Sequence, residues 1–189
     1  VDGVQVKHLT PKSLAGTKDS AGRKLPRPDG RALAVTIYTS GSTGLPKAVA
    51  IERRQLSALL CAMSREPGLS SEDILLSVTT VSFDIFGLEL FLPLVNGARI
   101  VLADQSLSTD GQLLSTQIDT FKATMLQATP STWRLLLEAG WQPHSNFRAI
   151  SGGEAMPPEV HKLLSCCKGW NLYGPTETTI WSSCSHVTA

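Results

Sequence analysis

Residues 32–47 read Ala-Leu-Ala-Val-Thr-Ile-Tyr-Thr-Ser-Gly-Ser-Thr-Gly-Leu-Pro-Lys. An apolar run, 32–38, is followed by Thr39, Ser40, Gly41, Ser42, Thr43, Gly44, Leu45, Pro46 and Lys47. A buried strand leading into small hydroxyl and glycine residues that end in lysine is suited to holding polyphosphate. The glycines let the backbone approach an anion, the amides and hydroxyls donate hydrogen bonds, and the lysine adds positive charge. A flexible surface loop would have a similar composition. The ordinary P-loop is excluded, because it closes on Gly-Lys-Ser/Thr and this chain has Pro46-Lys47-Ala48.

Outward from this stretch, strand-like and helix-like segments alternate. The pattern predicts an amphipathic helix over 53–63 ending near Pro67-Gly68, a strand over 73–79, and a helix over 83–92 stopped by Pro93 and Asn96-Gly97. A strand at 99–103 follows, then a helix capped by Thr109-Asp110 and running to Phe121, then a strand at 123–128. Pro130 opens a helix that ends at Glu138 and is closed by Gly140. A strand at 148–151, a helix at 157–165 and a last strand at 170–173 complete the series. Such alternation implies βαβ units in an α/β fold with a mostly parallel sheet, whose ligands bind at the carboxyl ends of the strands. The segments after Tyr38, Ile150 and Tyr173 all fall at such ends. Residues 1–30, rich in Lys, Pro, Gly and Ser, read as a linker or surface loop, and 31–189 as the folded portion.

Composition narrows the function classes. With 42% apolar and 17% charged residues the 189-residue chain is ordinary for a soluble globular protein. A net charge of +1 gives no electrostatic case for nucleic acid or an acidic membrane surface. The longest apolar run, 85–95, is interrupted by Glu89 and Pro93 and is too short to span a bilayer. No secretory signal opens the chain, so a cytoplasmic location is expected, and the lack of an initiator methionine suggests that Val1 is not a natural start. Cys61, Cys166, Cys167 and Cys184 have poor metal-ligand spacing and read as reduced thiols.

Asn171-Leu172-Tyr173-Gly174-Pro175-Thr176-Glu177 is the second stretch with chemical content. Gly174-Pro175 turns the chain sharply at a strand end. Tyr173 offers a ring for a purine, Asn171 an amide, Thr176 a hydroxyl, and Glu177 a hard oxygen ligand for Mg²⁺. A plain turn would serve the same residues, but with the lysine loop a nucleotide–Mg²⁺ site is the better reading. A third stretch is Ser151-Gly152-Gly153-Glu154-Ala155, and a fourth is Ser82-Phe83-Asp84-Ile85-Phe86-Gly87-Leu88-Glu89-Leu90-Phe91.

Together these stretches resemble the adenylate-forming superfamily, which includes acyl-CoA synthetases, luciferases and the adenylation domains of nonribosomal peptide synthetases. Residues 37–47 and 171–177, with 82–91, resemble the peptide-synthetase branch most closely, and the resemblance covers about 32–184. It implies that ATP is bound by a mobile loop of Thr39, Ser40, Gly41, Ser42, Thr43, Gly44 and Lys47. Gly153, Glu154, Ala155, Asn171 and Tyr173 would surround the adenine, Thr176 would face the α-phosphate and Glu177 would hold Mg²⁺. Lys47, Thr176 and Glu177 carry the catalytic role in this scheme.

The same resemblance implies a substrate pocket of Asp84, Ile85, Leu88, Gln127, Ile150, Gly152, Leu172, Ile180 and Trp181, with Asp84 holding the α-ammonium of an amino acid. A carboxylate in an apolar segment is costly to bury without a cation; helix N-capping is the other reading of Asp84. The lining offers no countercharge and is bulky, so a small amino acid, glycine first, is expected. The aminoacyl group would pass to the phosphopantetheine thiol of a peptidyl carrier domain, beside condensation domains of the same synthetase. An acyl-CoA synthetase-like acid:thiol ligase and a noncatalytic fragment are the alternatives. Ala48 and Arg53 stand where the family usually has glycine and often histidine. No counterpart is found of the family's later ribose-binding aspartate or its C-terminal lysine, so the chain is expected to be a central portion of the domain, inactive alone.

Overall fold

The computed structural model describes residues 29–40, 44–103 and 109–188. The predicted linker, but for its last two residues, and Gly41, Ser42 and Thr43 of the lysine loop lie outside the described residues. The chain opens with β1 (Leu33–Thr39) and β2 (Lys47–Glu52), which pair antiparallel with Thr39 opposite Lys47. Next come α1 (Arg53–Met63), β3 (Ile74–Ser77), α2 (Phe86–Asn96) and β4 (Arg99–Leu102). They are followed by α3 (Gly111–Phe121), β5 (Met125–Ala128), α4 (Pro130–Glu138) and β6 (Arg148–Gly152). The series ends with α5 (Pro158–Leu164), β7 (Lys168–Tyr173) and β8 (Ser183–His186).

Six strands form one sheet in the order β4-β3-β5-β6-β7-β8, parallel throughout except for the antiparallel β7–β8 pair. Alternation along each strand sends side chains to two cores. Leu76, Leu126 and Ala149 face the side covered by α3, α4 and α5, where Trp133, Leu136 and Phe147 are fully buried. Leu75, Met125 and Ile150 face the side covered by α1 and α2, together with Ile180 and Trp181. The α/β expectation, with a mostly parallel sheet, holds in this three-layer arrangement.

Local signals place most elements. Asp110 caps α3 by accepting from the Gln112 and Leu113 amides, and Gly97 ends α2 in the left-handed region. Four expectations need correction. The 32–38 strand is only partly buried and belongs to a separate hairpin, not to the parallel sheet. Its partner β2 and the edge strand β8 are additional to the predicted strands, so 170–173 is not the last; β8, at the sheet edge, is exposed and lacks an apolar pattern. Finally, α2 starts at Phe86 and carries Pro93 in its interior, on the buried face of the helix.

Candidate nucleotide and substrate site

The carboxyl ends of β6 and β7 bring two of the sequence stretches together. Gly153, Glu154 and Ala155 face Asn171, Tyr173, Gly174 and Pro175 across a cleft of about 430 Å³. The Tyr173 ring is 71% exposed at the rim, so one face is open for stacking. Gly153 turns the chain with φ of 86°, a left-handed conformation that suits glycine. The Glu154 carboxylate is turned to α4, accepting from the Ser131 amide at 3.2 Å and the Ser131 hydroxyl at 2.6 Å. It thereby caps the first turn of α4, where Thr129 provides no side-chain cap. What Glu154 can offer the cleft is therefore its backbone, and the expectation for this residue narrows accordingly.

The strands that flank the lysine loop, β1 and β2, pair with each other in a two-stranded sheet of their own, so the strand before the loop is not one of the parallel sheet. Lys47 opens β2 with an exposed side chain, and β2 runs beside the Thr176–Thr178 turn. Glu177 is exposed at the first turn after Pro175. Among the described residues no group of three His, Cys, Asp or Glu side chains forms a ready metal cage. A single exposed carboxylate fits Mg²⁺, which keeps several waters and is shared between one or two carboxylates and phosphate oxygens.

A second, apolar cleft of about 170 Å³ lies between the hairpin, α1 and the start of α2, lined by Val35, Ile37, Leu56, Phe83, Asp84 and Ile180 among others. Among the described residues that line it, Asp84 alone is charged. Helix α2 begins with Ile85 as its N-cap, in helical conformation and without a side-chain cap, so the capping reading of Asp84 fails. The Asp84 carbonyl accepts from the Gly87 amide at 2.8 Å. Among the described residues no hydrogen bond or ion pair reaches its carboxylate.

The remaining predicted pocket residues sit behind this cleft. Ile85, Leu88, Ile150, Leu172, Ile180 and Trp181 are buried within one apolar cluster. The Trp181 ring covers Gly152: a Cβ on Gly152 would lie 2.4 Å from the ring and 2.6 Å from the Leu172 carbonyl. Thr179 and Ile180 have φ of 69° and 67°, costly for β-branched residues, and this strained turn aims Ile180 and Trp181 inward. Gly174 makes the turn possible, since a Cβ there would meet the Ile180 carbonyl at 2.5 Å. Of the nine predicted pocket residues, Asp84 and Ile180 line the cleft, and the others lie in the walls behind it.

Gln127 is 1% exposed and fully engaged. Its amide nitrogen donates to the Ile85 carbonyl at 2.9 Å and to Glu89 Oε1 at 3.0 Å, and its oxygen accepts from Trp181 Nε1 at 3.0 Å. Glu89, in α2, is completely buried and accepts from Ser77 Oγ at 2.6 Å, from the Val78 and Thr79 amides, and from the Thr79 hydroxyl. Burial pushes its carboxyl above the usual range, while the Ser77, Thr79 and Gln127 bonds pull the other way. Glu89 is a site residue beyond those the sequence suggests, and the signal for it is an acid inside the 85–95 apolar run.

The AMP-binding enzyme family profile matches residues 2–189, essentially the whole chain. The chain belongs to the AMP-binding enzyme family. Among curated proteins it is 45% identical, over 156 residues, to a dimodular nonribosomal peptide synthase from Bacillus subtilis, covering 82% of this chain and 7% of that protein. It is 39% identical over 153 residues to tyrocidine synthase 3 from Brevibacillus parabrevis, covering 78% of this chain and 2% of the relative. Among solved structures it superposes on holo-AB3403, a four-domain nonribosomal peptide synthetase bound to AMP and glycine. That match has a TM-score of 0.76 at 38% identity and covers 82% of this chain and 12% of that one. The N-terminal subdomain of Klebsiella oxytoca NpsA, in complex with 3-hydroxyanthranilyl-AMSN, matches with a TM-score of 0.72 at 27% identity, covering 88% of this chain and 43% of that one. The chain thus spans a small part of the length of its curated relatives. No helix among its described residues is long and apolar enough to cross a membrane.

Proposed function

We propose that this chain forms the amino-acid- and nucleotide-facing part of an adenylation domain of the nonribosomal peptide synthetase type. The single observation that carries the reading is Asp84: a carboxylate without a partner among the described residues, in the lining of an otherwise apolar cleft. Such a group is stabilised by a cation delivered with a ligand, and an α-ammonium supplies one. The likeness to synthetases, one of them bound to AMP and glycine, supports the same assignment.

In the proposed reaction a carboxylate oxygen of the amino acid attacks the α-phosphorus of ATP. The new O–P bond forms as the bond to pyrophosphate breaks, leaving aminoacyl-AMP. The chain's own part is positioning and charge stabilisation. Asp84 would hold the ammonium and the cleft between 153–155 and 171–175 the adenine. Thr176 would face the α-phosphate, and Lys47 with the loop 39–44 would meet the departing phosphates. Glu177 would hold Mg²⁺, which supplies charge neutralisation at the phosphates when bound. Transfer to a carrier-domain phosphopantetheine thiol would follow.

The substrate we propose is glycine, with alanine second. The cleft of about 170 Å³ falls below the ~300 Å³ at which ordinary ligand pockets begin. Exclusion by size separates one methylene by only ~1–3 kcal/mol, so some activity with alanine is expected. The test is ATP–pyrophosphate exchange by a full-length adenylation domain carrying this sequence, with glycine, alanine, phenylalanine and an amine-free acid. Glycine-dependent exchange that Asp84→Ala lowers by about 100-fold, the scale of a lost charge-assisted contact, supports the proposal. Exchange with the amine-free acid alone would make the protein an acid:thiol ligase, and no exchange would leave a noncatalytic relic.

A further inference from the structure

Five donors converge on the Glu89 carboxylate: the Ser77 and Thr79 hydroxyls, the Val78 and Thr79 amides, and the Gln127 amide nitrogen. A carboxylate is acceptor-only when ionised, so it satisfies them all, and an amide in its place would set a donor against a donor in either orientation. Gln127 has one workable orientation as a result. Its nitrogen must face the two acceptors, Glu89 Oε1 and the Ile85 carbonyl, which leaves its oxygen for the Trp181 indole. Ile85 follows Asp84 and caps α2, whereas Trp181 covers Gly152 behind the cleft, next in the chain to Ile180, which lines it. One buried chain of hydrogen bonds therefore ties the turn that bears Asp84 to the buried ring of Trp181, beside Ile180 of the cleft lining.

We infer that Glu89 is a positioning residue which, through Gln127, sets the gap between the Asp84 turn and the Trp181 ring, and so the side-chain space open to the substrate. Gln127 serves as the link in that chain, not as a direct contact for the substrate, because its polar atoms are already engaged. The inference rests on the proposed function, and its subject is how that pocket measures size. A pocket closed by a hydrogen-bonded indole holds its depth, while one closed by an indole without an acceptor can let the ring shift and admit another methyl group.

Glu89→Gln tests this, because it keeps the side-chain shape and removes only the acceptor pattern. In a full-length adenylation domain carrying this sequence, the ratio of kcat/KM for glycine over alanine is expected to fall about 10-fold, through the KM values, with KM for ATP unchanged. In parallel, the Trp181 indole N–H proton, followed by NMR without substrate, is expected to exchange slowly in the parent and at least about 10-fold faster in Glu89→Gln. A folded Glu89→Gln variant with a protected indole proton, or with a glycine/alanine ratio within about twofold of the parent, overturns the inference. If Glu89→Gln does not fold, Gln127→Met removes the acceptor at similar volume and must give both changes; retention of either parent value there overturns it equally. A parent domain without glycine-dependent exchange would refute the proposed function instead, while the indole proton still decides whether Glu89 holds Trp181.

Discussion

Replacing Gly152 with alanine tests the packing at the back of the pocket most directly. The added Cβ would sit 2.4 Å from Trp181 Cη2, 2.8 Å from Trp181 Cζ3 and 2.6 Å from the Leu172 oxygen. Leu172 is the register partner of Gly152 in the β6–β7 ladder, so its carbonyl cannot withdraw without opening the sheet. The ring must instead retreat by about 1 Å to regain ordinary contact, which strains the 3.0 Å bond from its Nε1 to Gln127. Overpacking costs ~1–3 kcal/mol and a weakened buried hydrogen bond about 1 kcal/mol more, so a loss of about 2–4 kcal/mol is expected. For a chain of this size that lowers Tm by about 5–10 °C. Urea unfolding of Gly152→Ala, alone and with Trp181→Leu, measures it. The double mutant should recover at least about 1 kcal/mol relative to additivity, since the leucine vacates the space. Gly153→Ala is the control: its Cβ would meet only Thr129 at 3.7 Å, so its cost is about 1 kcal/mol of left-handed backbone strain. A Gly152→Ala penalty below about 0.5 kcal/mol, or none of the expected coupling to Trp181, would refute this account of the packing.

Further outcomes follow from other parts of the fold. Asp73, paired with Arg148 at 2.7 Å, is held below the usual carboxylate range: burial acts to raise it but is outweighed by the Ser70 amide, the Thr124 and Ser70 hydroxyls and Arg148. Its contribution is present above the unfolded value of 3.8 and disappears as pH falls through the lower folded value. Arg148→Ala should therefore cost about 3 kcal/mol at neutral pH and progressively less below pH ~4, read from Tm against pH. Glu154→Ala should cost about 1 kcal/mol by uncapping α4, seen as faster amide exchange at Ser131, with Glu154→Gln losing less. All four cysteines are free thiols. Burial, then the neighbouring Cys166, pushes the Cys167 thiol up to about 12, so exposed Cys61 and Cys166 should be alkylated at neutral pH well before Cys167, as mass spectrometry would show.

Features that depend on neighbours along the chain were legible in the amino-acid order. Periodicity located α1 over 53–63 and α4 over 130–138, Asp110 and Gly140 marked helix ends, and the small-residue stretches marked strand ends. The stretches around 153–155 and 171–175 could be read as one site because each ends an adjacent parallel strand. Strand pairing, in contrast, emerged only in three dimensions. A pattern of apolar residues says that 32–38 is extended, but its partner is chosen by hydrogen bonds to β2, which keep this strand out of the main sheet. The same holds for β8, an exposed edge strand defined by β7 and not by its own side chains. Polar specificity was equally hidden. Glu89, Gln127 and Trp181 are far apart in the chain, and nothing local marks them as partners. Their bond pattern exists because a buried polar group must find acceptors and donors in three dimensions, wherever the fold happens to supply them.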